Sequence, residues 1–192
     1  MTADRVARPL ADPVALLGSA VRYTDAALGL VTAEDLSRPT PCSEWNLRQL
    51  LSHMDESLTV LEEAVLDRAV VLHPVAVPAG SVDPVGVLRN RACRMVRSWV
   101  SAGDRGAIRV GDAPLPSDVA AAAGALEVAV HGWDVARTLG PAAPIPPGLA
   151  RELLFCAGIF VTDADRPARF GAARPVAAGA GPHERLLAFL GR

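Results

Sequence analysis

From Val119 to Val130 every residue except Glu127 is apolar or glycine, within a segment, DVAAAAGALEVAVHGWDVARTLG, that contains no proline before Pro141. A helix that is apolar on all sides is a buried one, so this segment requires other helices packed around it. The same constraint bears on its one carboxylate. Removing an isolated carboxylate from water is costly, so Glu127 needs an ion-pair partner, a proton or a bound cation.

The rest of the chain supplies partner helices. Asp12-Pro13, a capping residue followed by proline at the first helical position, opens a helix expected to end near Val31. SRPTPCSEW then interrupts with two prolines and several small polar residues, which mark a defined loop. Asn46 reads as the N-cap of a second helix running through LRQLLSHMDESLTVLEEAVLDRAVV. Here Leu47, Leu50, Leu51, Met54, Leu58, Leu61 and Val65 fall on one face at three-and-four spacing. After the loop HPVAVPAGSVD, a third helix starts at Asp83-Pro84 and runs to about Ser101. Its arginines, Arg89, Arg91, Arg94 and Arg97, read as a solvated face.

Ser117 reads as the cap of the fourth helix, which closes at Gly140-Pro141. A short helix from Pro147 to about Thr162, an irregular segment and a last turn, ERLLAFL, complete the chain. No strand-like alternation stands out. The expectation is an all-α fold, a four-helix bundle with short C-terminal helices, in one domain spanning residues 1–192. At this length one core is expected rather than two.

A net charge of −2 with scattered basic residues offers no electrostatic footprint for nucleic acid or an anionic membrane. The opening MTADRVARPLADP lacks the apolar core of a signal peptide, and no stretch approaches a membrane span. A cytoplasmic protein is expected. The three cysteines, Cys42, Cys93 and Cys156, are odd in number and far apart, which supports neither a disulfide framework nor a CxxC zinc module. They read as small buried side chains, and Cys42, with no partner evident in the sequence, as structural.

His131 lies four residues after Glu127, so the two side chains share a helical face and can either grip one ion or make a helical salt bridge or hydrogen bond. A third donor is required, and His53, at the edge of the leucine stripe and in line with Ser57, Val60 and Ala64, reads either as that donor or as a satisfied core or rim histidine. Two nitrogens and one carboxylate suit zinc, with nickel, iron(II) or cobalt able to occupy the same set. Three protein ligands leave positions open for water or substrate, as in catalytic sites. Asp134, three residues beyond His131, either orients that ligand or makes a polar contact at the bundle's end. Trp45 and Trp133 read as core or as cleft walls. Arg137 either meets an anionic substrate or answers the helix dipole. The cleft is expected at the ends of the second and fourth helices, lined by the Pro39 to Trp45 loop.

PTPCSEWNLRQLLSHM and LEVAVHGWDVARTLG resemble the paired signatures of the DinB-like, mycothiol-dependent maleylpyruvate isomerase superfamily, and the closing FGAARPVAAGAGPHERLLAFLGR is similar to the tail of its single-domain members. The resemblance implies a bundle of up-down-down-up type. It implies a metal held by a histidine on the second helix and an acid and a histidine on the last bundle helix, here His53, Glu127 and His131. It also implies chemistry between a low-molecular-weight thiol, mycothiol, and a small electrophile, by addition alone or by addition, rotation and elimination. The alternatives are a thiol-independent tailoring or hydrolytic enzyme in which the metal activates water, and a non-catalytic metal-binding or regulatory module. The chain is expected to be a monomer or a homodimer.

Overall fold

The computed structural model describes residues 12–70, 83–103, 106–140 and 143–192. Among these it is mostly helical, with six helices and a small three-stranded sheet. The helices are α1 (Pro13–Leu28), α2 (Leu47–Leu66), α3 (Pro84–Ser101), α4 (Ser117–Leu139), α5 (Pro147–Phe160) and α6 (Pro182–Phe189). The strands are β1 (Ala69–Val70), β2 (Ala107–Val110) and β3 (Ala113–Pro116). The expected signal-free N-terminal stretch, most of the loop before α3 and Pro141 lie outside the described residues.

Side-chain caps set three helix starts. Asp12 accepts from the Val14 N–H at 3.0 Å and Asp83 from the Gly86 N–H at 2.8 Å, each followed by proline at the first helical position. Asn46 accepts from the Gln49 N–H at 3.0 Å while Gln49 accepts from the Asn46 N–H at 3.0 Å, so two donors left over at the start of α2 are satisfied reciprocally. Ser117, expected as the cap of α4, is instead its first residue, and its N–H donates to the Gly106 carbonyl at 3.0 Å.

Two helix ends fall short of the sequence expectation. α1 stops at Leu28, where the Gly29 N–H donates back to the Asp25 carbonyl at 3.0 Å. α2 stops at Leu66 because Arg68 adopts φ 56°, which turns the chain into β1. β1 pairs in parallel with β2, with Ala69 opposite Arg109 and Val70 opposite Val110. β2 and β3 form an antiparallel hairpin around Gly111, whose φ of 57° suits the turn. This sheet was not expected. Its strands run two to four residues and bury little besides Ile108, too few positions for an alternating pattern to show.

α4 is buried as its composition requires: Ala121, Ala122, Ala125 and Ala129 are fully enclosed. It packs chiefly on α1, and also on α2 and α5, while α2 packs on α3. Two glycines permit the approach. A Cβ on Gly132 would overlap the Thr24 hydroxyl, and one on Gly124 would press on the Leu61 methyls at 2.7 Å. Thr24 Oγ1 donates to the Val128 carbonyl at 2.8 Å, which ties α1 to α4 at this point.

The arginines of α3 are not simply a solvated face. Arg91 Nε reaches Asp55 at 2.6 Å, Arg94 Nε reaches Glu62 at 3.5 Å, and Arg89 grips both oxygens of Asp25 at 2.6 and 3.0 Å. They form a polar seam from α3 to α2 and α1. Cys156 is buried as expected, whereas Cys93 is exposed on α3, opposite to expectation.

Gly132→Ala is expected to destabilise the protein by about 1–3 kcal/mol, because the added methyl must displace Thr24 and separate α1 from α4. A thermal melt checks it, and an unchanged midpoint would mean the contact is looser than the structure indicates.

Candidate metal centre

The loop before α2 is shaped by Thr40. Its hydroxyl accepts from the Cys42 N–H at 3.2 Å and lies 2.9 Å from the Trp45 carbonyl, while the Trp45 N–H donates to the Cys42 carbonyl at 2.8 Å. This tight turn holds Cys42 and Trp45 beside the side chains that α2 and α4 present. Helical spacing then places His53 on α2 opposite Glu127 and His131 on α4.

The three expected donors meet. His53 Nε2 lies 2.8 Å from Glu127 Oε1, and His131 Nε2 lies 3.3 Å from the same oxygen. One donor atom from each residue falls within 4.8 Å of the others. Bonds of about 2.0–2.2 Å to one tetrahedral ion separate neighbouring ligands by roughly 3.3 Å, so the spacing fits a single cation after small adjustments. Ser57 donates a further hydrogen bond to Glu127 Oε1 at 3.2 Å.

Glu127 departs from its expected environment. Its side chain keeps 36% of its surface exposed, facing a cleft, although its neighbours along the helix are enclosed. His131, 10% exposed, is the most enclosed of the three donors. Burial works to raise the Glu127 pKa, but hydrogen bonds from His131 and His53 and their charge outweigh it, and the carboxyl stays well below its usual range. Burial likewise works against a charged His131. Hydrogen bonds to Asp134, Cys42 and Glu127 prevail and raise its pKa well above the ordinary value.

Asp134 is fully enclosed and takes hydrogens from three parts of the chain. Its Oδ2 lies 3.0 Å from His131 Nδ1, 2.9 Å from Arg192 Nη2 and 3.3 Å from Cys42 Sγ, and its Oδ1 accepts from Arg192 Nε at 2.9 Å. Asp134 thus contacts both His131 and the chain's tail, an arrangement open to both of its expected roles. Burial alone would raise its pKa, yet the hydrogen bonds from His131 and Arg192 hold it below the usual carboxylate range.

Cys42 is therefore not the partnerless side chain that the sequence suggests. Its sulfur also lies 3.3 Å from Arg192 Nη2 and 3.9 Å from His131 Nδ1. Cys42, His131 and Asp134 make a second group of metal-ligand types. The Arg192 guanidinium lies against two of its members, Cys42 and Asp134, and so supplies a positive charge there. Arg192 and Ser57 are the residues that sequence reasoning missed. Arginine at position 192 carries no local signal, because its partners lie 58 and 150 residues earlier.

A cleft of about 1090 Å³ opens on this centre. The expected loop lines it from Pro41 to Trp45, with Trp133 and Arg137 of α4 and with Phe170 and Arg174 of the segment between α5 and α6. Trp133 is thus half-buried at the wall, 6.4 Å ring to ring from His183. Arg137 sits at the rim and its Nη1 donates to the Gly140 carbonyl at 3.4 Å, the contact expected of a cation at a helix C-terminus.

Comparison with known proteins identifies the family. A family model described as the mycothiol maleylpyruvate isomerase N-terminal domain matches residues 17–136, and the chain belongs to that family, within the DinB-like superfamily. An uncharacterized protein found in two strains of Mycobacterium tuberculosis is 31% identical over 172 residues, covering 87% of this chain and 90% of the relative. No solved structure matches the chain significantly. Among the described residues, no helix is long and apolar enough to cross a membrane.

The raised pKa of His131 has a signed consequence for the metal-free protein. The stability contributed by its ion pairs is complete below about pH 6.5, the unfolded value, and is lost as pH rises through the higher folded value. Melts of the metal-free protein across neutral and alkaline pH should show a midpoint that falls as the imidazolium deprotonates. His131→Gln should lack that dependence, and parallel profiles for the two proteins would contradict the assignment.

Proposed function

We propose that His53, Glu127 and His131 hold one divalent cation, zinc by preference, with nickel, iron(II) or cobalt as substitutes. In this reading α1–α4 form a four-helix bundle of the DinB type within a single domain, acting in the cytoplasm as a thiol-dependent transferase or isomerase. The observation that carries it is the meeting of two imidazole nitrogens and a carboxylate oxygen at the floor of a large cleft. Membership in a mycothiol-related family supports mycothiol as the thiol and a small electrophile as its partner.

A cation held there supplies Lewis acidity, which lowers the pKa of a thiol or water at an open position. The chain's own residues do the rest. Asp134 holds the Nδ1–H of His131, so that the Nε2 lone pair faces the other donors. Trp45, Trp133 and Phe170 wall the cleft and give it apolar surface beside the reacting groups. Arg137 and Arg174, at the rim, are placed to meet an acid group on either substrate. In the addition, the thiol sulfur bonds to one carbon of an activated double bond, the π bond breaks, and the thiol proton ends on the neighbouring carbon. Addition alone yields an S-conjugate; rotation about the resulting single bond and elimination of the thiol yield the isomer.

Metal analysis tests the centre. Glu127→Gln, His53→Ala and His131→Ala should each lose the ion, whereas Asp134→Asn should retain it with affinity reduced roughly 10- to 100-fold. Full occupancy in Glu127→Gln would overturn the ligand assignment. Turnover of an activated aromatic halide tests the chemistry: product should form only with mycothiol present. Equal turnover without thiol would favour the water-activating alternative.

A further inference from the structure

The two histidines of the proposed centre are held differently. A ligating imidazole must keep its lone pair aimed at the ion, and the usual means is a hydrogen bond from the other ring nitrogen. His131 has that bond, from Nδ1 to Asp134 at 3.0 Å. His53 uses Nε2 toward Glu127 at 2.8 Å, and among the described residues no hydrogen bond engages its Nδ1. Its side chain is 32% exposed, so burial alone does not stop the ring from turning.

A ring contact takes the place of the missing bond. The Trp45 indole lies 4.5 Å from the His53 ring, centroid to centroid, at an interplanar angle of 40°. From another side the His131 ring meets His53 edge-on, at 5.1 Å and 86°. These two ring contacts bound His53 on two sides. The backbone that carries Trp45 is tied into the loop, through its N–H to the Cys42 carbonyl and its carbonyl to the Thr40 N–H at 3.3 Å. It directly precedes Asn46, the cap of α2, so the loop that carries the indole runs straight into the helix that carries His53.

We infer that Trp45 is the positioning residue for His53, an aromatic clamp that does for this ligand what Asp134 does for His131. The inference rests on the metal reading above. The clamp works through shape: a flat ring of sufficient area at position 45 restricts the imidazole, and a flexible aliphatic chain does not.

Cobalt(II) added to the metal-free protein provides the test, since its visible d–d bands report coordination geometry as well as occupancy. Trp45→Leu should bind cobalt about 10- to 100-fold more weakly than wild type, with a shifted or weakened band, and Trp45→Phe should recover affinity to within about threefold. Trp45→Leu with wild-type affinity and spectrum would overturn the inference, as would Trp45→Phe binding as weakly as Trp45→Leu. Circular dichroism verifies folding, and Trp45→Met replaces Trp45→Leu under the same criteria if the latter does not fold. Failure of the wild type to bind cobalt would count against the metal reading itself, which keeps the two outcomes separate.

Discussion

The Asp134 carboxylate is the point on which the organisation of the site depends. It is fully enclosed, and an enclosed charge survives only with its partners in place. Those partners are His131 one turn earlier on α4, Cys42 from the loop before α2, and Arg192 at the far end of the sequence. Each donor satisfies the carboxylate, and the carboxylate in turn draws three distant parts of the chain to the same place. The same carboxylate engages Nδ1 of His131, the ring nitrogen turned away from Glu127.

α4 carries the pieces of the centre on one face, because Glu127 and His131 are four residues apart and Asp134 follows at three. The price of that arrangement is an otherwise apolar helix that must be covered on its remaining sides. Gly132 and Gly124 let α1 and α2 approach closely enough to cover it. The same approach brings His53 on α2 within hydrogen-bond distance of Glu127. Close helix packing and convergence of the donors are therefore one structural event.

The family match ends at residue 136, so it includes the three donors and Asp134 but not the outer wall of the cleft. That wall comes from the irregular segment after α5. Arg166 pins it with hydrogen bonds to the Gly171 and Phe189 carbonyls and lies over the Phe189 ring at 5.2 Å. The candidate donors lie within the matched stretch, whereas Phe170, Arg174 and Arg192, which line the cleft, lie beyond it.

Helices were legible in the sequence because capping, proline placement and three-and-four spacing are local; spacing put Glu127 and His131 on one face, while His53 was joined to them through the family resemblance, and the structure brings the three side chains together. The short sheet was not, since pairing of strands this short is decided by partners far along the chain. Nor were the α3 ion pairs, whose acids sit on α1 and α2. Cys42 passed for a structural side chain and Arg192 carried no signal, because each acquires its role only when the tail folds back across α4. Local periodicity determined which residues could hold a cation; the tertiary structure alone decided what holds those residues in place, because hydrogen bonds and ring contacts between distant segments leave no spacing in the sequence.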